Sequence, residues 1–212
     1  SNIHSQAAQP TRRRMLTGLK SYLFPTRIRS RVQLTRFVSG EASYVAQRST
    51  YEFSRNTLAW FGQSAFGDPA FNDAFAVCRW EAFAAIAADM TFVVRSFLDG
   101  GIDLDPALVR VYADALGEYP APVHRPEGWS DRHAALLSRF AGIPSDHRLD
   151  FKAMGHRTGI MIHEHVPARS KNAEEERQVL AAAVTFGLIS FNDRLPRRLD
   201  ADALRKALGP AA

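Results

Sequence analysis

Residues 69–98 read PAFNDAFAVCRWEAFAAIAADMTFVVRSFL, with no glycine or proline after the first position, and that run limits what the chain can become. Asp68 precedes it and Asp99-Gly100-Gly101 follows. Proline at a first helical position loses no hydrogen bond, an aspartate before it can cap the free amides, and paired glycines can end the run. The prediction is one long helix over 69–98. On a helical wheel Phe71, Phe75, Ile86, Val93 and Phe97 fall in one sector, and Trp80, Phe83, Ala87, Val94 and Leu98 fall in others. A helix apolar nearly all round belongs in the centre of a fold. Only the strip Asp73, Glu81, Ala84, Ala88, Thr91, Arg95 and Asp99 is small or polar enough to meet water or a close neighbour. Asp89 lies off that strip, among apolar residues, so its carboxylate must be paired, hydrogen-bonded or protonated.

A second apolar rod is expected near the chain's end. Asn172 and Glu174-Glu175-Glu176 make an acidic opening with a capping-box pattern, Val179 to Phe191 is apolar on every side, and Pro196 should break the helix. Its closing run, Phe191-Asn192-Asp193-Arg194-Leu195, resembles the terminal helix of carboxymuconolactone decarboxylase-like proteins; their dithiol has no counterpart here, and no role is carried over. Between and before the rods, breakers and periodicity predict shorter helices. One runs from Glu41 to Phe61, set off by Gly40. Another runs from Asp105 to Tyr119, and a third from Ser130 to Phe140 with Ala134, Leu137 and Phe140 inward. The fourth covers 149–165, and a last short one is capped by Asp200. Pro120, Pro122, Pro126 and Gly128 mark the best hinge. No strand alternation is present. The fold class is therefore all-α: a single-domain irregular bundle of about seven to eight helices around the buried central helix 69–98. Residues 1–10 read as disordered or as a cloning remnant, and 11–210 as the helical domain.

With 46% apolar and 23% charged residues the composition is ordinary for a globular protein, but the net charge of +5 is unevenly placed. Arg12, Arg13, Arg14, Lys20, Arg27, Arg29, Arg31 and Arg36 all precede Glu41, the first acidic residue. Residues 11–39 thus read as a basic amphipathic helical pair, split at Pro25, able to meet an acidic partner protein, an anionic lipid surface or nucleic acid. Arg12, Arg13, Arg14, Lys20, Arg27, Arg29 and Arg31 are the candidate contacts. The single cysteine, Cys78, excludes an intramolecular disulfide and suits a reducing compartment. No run reaches the roughly 18 residues of a membrane span, so a soluble cytoplasmic protein is expected.

Two other groupings could carry chemistry. The helix from Glu41 shows a packing side of Ala42, Val45, Ala46, Ser49 and Phe53, and an opposite row of Tyr44, Arg48, Tyr51 and Arg55. Arg48, Tyr51 and Arg55 could receive an anion, or the arginines could face Asp89. In 149–165, His156 and His163 share a stripe two turns apart, beside Glu164. Seven residues span about 10 Å at 1.5 Å rise, too far for one metal ion, and no metal site is expected. The main expectation is a non-catalytic interaction module using its basic N-terminal face. The alternative is an enzyme or small-ligand binder with Asp89, Arg48, Arg55 and His156 or His163 around a pocket, the catalytic candidates being Asp89, His156 and His163. Whether a cofactor takes part is left open by the sequence. A homo-oligomer would be one way to cover two apolar rods.

Overall fold

The computed structural model describes residues 27–61, 67–98, 104–144, 147–169 and 171–209, the side chains of 56–61 excepted. Among them are seven helices and no strand: α1 (Arg31–Phe61), α2 (Pro69–Phe97), α3 (Asp105–Gly117), α4 (Ser130–Gly142), α5 (Phe151–Glu164), α6 (Ala173–Arg198) and α7 (Ala201–Leu208). The helix expected over Thr11–Phe24, with Arg12, Arg13, Arg14 and Lys20, lies outside the described residues.

The central helix starts as its sequence dictates. Asp68 Oδ1 accepts from the Ala70 amide at 2.9 Å, and Pro69 occupies the first turn. From Cys78 onward most side chains are buried, against α1, α3, α5 and α6, but the turns before Cys78 remain exposed or half-buried. From Glu81 to Arg95 the polar strip is not a wet face either, though Asp73 is exposed. Glu81 is 2% exposed and Arg95 3%, because α4 and the loop before it cover that side.

Helix α1 runs unbroken through Gly40, contrary to the sequence expectation, so residues 31–39 belong to it. Leu34, Phe37, Val38, Ala42, Val45 and Ala46 form one continuous buried stripe, with Gly40 on the exposed side. Burial along that stripe outweighs a glycine penalty of about 1 kcal/mol. The helix also begins later than expected. Ile28 is extended, donating to the Arg198 carbonyl at 2.8 Å and accepting from the Asp200 amide at 3.0 Å, which ties the segment before α1 to the junction of α6 and α7.

The last rod is apolar on its outer side too, but it is buried on one side only. Leu180, Val184, Leu188, Phe191 and Leu195 are buried, while Phe186 is 73% exposed, Val179 50% and Ile189 38%. Pro196 sits within the final turns and the helix continues to Arg198 without the backbone bond that a proline nitrogen cannot donate. Helices α5 and α6 make the closest pairing, set by two glycines. A Cβ on Gly159 would stand 2.5 Å from the Ala181 nitrogen, and one on Gly155 2.8 Å from the Ala181 carbonyl. Helix α4 is held differently from the sequence reading: Leu136 and Phe140 face inward, while Ala134 and Leu137 are exposed.

Candidate functional site

Three charged side chains of α2 face α4 and its preceding loop, and each is fully engaged. Glu81 receives Arg125 Nε at 2.5 Å, Arg132 Nη2 at 2.6 Å and His124 Nε2 at 3.1 Å. Arg125 also lies 4.6 Å over the Trp129 ring and bonds Asp131. Eight residues on, Asp89 is 1% exposed and accepts from Arg139 Nη1 at 2.6 Å, Arg157 Nη2 at 2.7 Å and Thr158 Oγ1 at 2.6 Å. Arg95 forms a two-pronged pair with Asp105, at 2.6 and 2.9 Å, and donates to the carbonyls of Phe140 and Ile143 at the end of α4. Arg132 and Arg139 stand seven residues apart on one face of α4, so that helix is moored to α2 by long side chains.

These ionic groups have the opposed forces that buried charges require. Burial raises the pKa of Glu81, but hydrogen bonds from Arg125 and His124 and the charges of Arg132 and Arg125 outweigh it and leave the carboxyl below its usual range. Burial lowers the pKa of Arg139, which the nearby Asp89 charge partly offsets.

Asp89 is thus buried and paired, and its ligands are arginines of α4 and α5. Arg48 turns instead to Tyr44 at 3.4 Å and Glu52 at 3.3 Å on the exposed side of α1, where Tyr51 and Arg55 also face outward. His156 and His163 part company as well. His156 is exposed; His163 is 2% exposed, with Nε2 2.9 Å from Glu176 Oε2 and its ring edge against Phe53. Among the described residues no three His, Cys, Asp or Glu side chains gather as a metal site.

A different arrangement stands open to solvent, at the pole where the segment before α1 meets the end of α6. Ile28, Arg36, Phe37, Glu41, Arg194 and Arg198 are among the residues lining a surface cleft of about 540 Å³. Arg194 holds Glu41 through two bonds of 2.6 and 2.8 Å. Arg198 stacks 5.4 Å over the Phe37 ring, and its Nε is buried without a hydrogen-bond partner among the described residues. Arg36 is exposed and makes no ion pair among them. Nearby, Arg27 is exposed, Arg29 meets Asp200 at 2.9 Å, and Arg31 lies 3.7 Å from Asp114. The sequence marked the N-terminal half of this cluster by its charge. It did not mark Arg194 and Arg198, because the packing of α1 on α6, with the Ile28–Leu199 contact, is what brings the end of α6 there.

Compared with models of known families, with curated proteins and with solved structures, the chain matches none.

Proposed function

We propose that this protein is a non-catalytic interaction module that takes an acidic segment of a partner protein into the cleft between the start of α1 and the end of α6. The observation that carries the reading is the imbalance in that cleft: Arg36, Arg194 and Arg198 line it against a single carboxylate, Glu41. Arg36 is exposed, and neither it nor Arg198 makes an ion pair among the described residues. A guanidinium stacked on an aromatic ring is oriented in advance, so less freedom is lost when it binds a carboxylate. Glu41, held by Arg194, favours spaced carboxylates over the continuous charge of a phosphate backbone. Arg27, Arg29 and Arg31 extend the basic field around the opening.

The test is a titration of the whole chain against a labelled polyglutamate peptide at low and high salt. Binding should weaken as salt rises, and reversing Arg27 and Arg36 together to glutamate should weaken it roughly tenfold or more. Both side chains are exposed, so the double variant should melt like the parent. Equal binding by the double variant, or none by the parent at low salt, would sink the proposal. Preference for phosphatidylserine vesicles or single-stranded DNA over the peptide would replace the acidic segment with that partner.

A further inference from the structure

The inner face of α6 is pressed on α5 through Gly155 and Gly159, and on α1 where a Cβ at Gly187 would lie 2.6 Å from Val45. Its outer face carries Glu175, Val179, Ala182, Phe186, Ile189 and Asp193, all exposed. Their spacing alternates four and three, the repeat of a helix that packs along a partner helix. A ring as exposed as Phe186, with an exposed valine and isoleucine one or two turns away, forms a continuous apolar stripe on an otherwise polar surface.

We propose that two copies of this chain pair antiparallel through this face, with Phe186 at the two-fold axis. The charges select the orientation. The first turn of α6 carries Glu174 and Glu175 and its last turn Arg197 and Arg198, so antiparallel pairing sets each acidic end beside the other copy's basic end, whereas parallel pairing sets like against like. The register follows from symmetry. Glu175 and Arg197 stand equally far on either side of Phe186. Ala182 and Ser190 do too, which leaves small side chains facing each other beside the two rings. Arg197 makes no ion pair among the described residues. One pairing is poor, since Val179 then faces Asp193, and that mismatch can be exploited in a test.

Sedimentation velocity on the full chain, from low micromolar to several hundred micromolar, should show a concentration-dependent dimer. Phe186→Glu should shift it to monomer with an unchanged helical spectrum, and Asp193→Leu should tighten it severalfold. A nitroxide attached through Gln178→Cys, with the buried Cys78 left unlabelled, measures the orientation. An antiparallel pair centred on Phe186 puts the two labels about 24 Å apart along the axis at 1.5 Å per residue, and a parallel pair about 10 Å apart. A monomer throughout, a dimer indifferent to Phe186→Glu, or the short label distance would each overturn the proposal.

Discussion

Arg139 crosses from α4 to Asp89 on α2 and meets it at 2.6 Å, with the guanidinium 4.3 Å above the Phe92 ring and the carboxylate shut away from solvent. The pair is anchored from one side by Thr158 and approached from the surface by Arg157.

Removing the Asp89 carboxylate and removing its outer arginine, Arg157, should have unequal effects. Asp89→Ala strands Arg139, 18% exposed, without its counter-charge, and should cost about 3–5 kcal/mol. Arg157→Ala removes a cation that is 55% exposed and should cost less than about 1 kcal/mol. Urea denaturation of the two variants checks the ratio; similar losses would mean that Arg139 is not the structural partner.

Glycine substitutions should divide by position. At Gly159 or Gly155 an alanine methyl collides with the backbone of α6, and either change should destabilise by about 1–3 kcal/mol or more. At Gly40 nothing lies within 4 Å of an added Cβ, so Gly40→Ala should stabilise α1 by about 0.5–1 kcal/mol. Melting temperatures of the three variants decide this.

Acid should loosen the mooring of α4. The Glu81 carboxyl is held below its unfolded pKa, so its contribution is complete above the unfolded value of about 4.3 and is lost as pH falls through the lower folded value. Glu81→Gln should therefore lower stability at neutral pH and flatten the acid limb of a plot of denaturation midpoint against pH. An acid limb as steep as the parent's would show that Glu81 does not drive it. Asp131, also lowered against the effect of its burial by a hydrogen bond from Arg125, titrates in the same direction and keeps the limb from vanishing.

Cys78 should behave as a hidden reporter. Burial pushes its thiol up to about 12, and the sulfur sits 3.9 Å from the Ile162 carbonyl. Maleimide labelling at neutral pH should be negligible in the folded protein and should rise with urea along the unfolding curve. Rapid labelling without denaturant would contradict that burial.

The helices were legible where periodicity and end signals agree, and the burial of Asp89 followed from the apolar sector around it. Its partners did not. Arg139 and Arg157 lie 50 and 68 positions further along, and nothing local distinguishes them from solvated arginines. Glu81 and Arg95 were left open between water and a neighbour for a related reason: a polar strip on a helix looks the same whichever will cover it. Gly40 was read as a break because propensity is local, and Pro196 likewise, whereas both helices are fixed by the stripes they bury. The division of α1 into a packed side and the Tyr44, Arg48 row was visible in spacing alone. The basic cleft was half visible, its second bank being supplied by α6.

The clasp of Ile28 against the α6–α7 junction, backed by the Arg194–Glu41 bridge over 153 positions, closes a loop around almost everything described between. Closing so long a loop gains little until the intervening helices have already found their places. The pole that carries the open arginines is therefore the last seam to be sewn as the chain folds and the first to part under strain. A partner settling across both banks would act as a rivet there, raising the barrier to unfolding as well as satisfying its own charge.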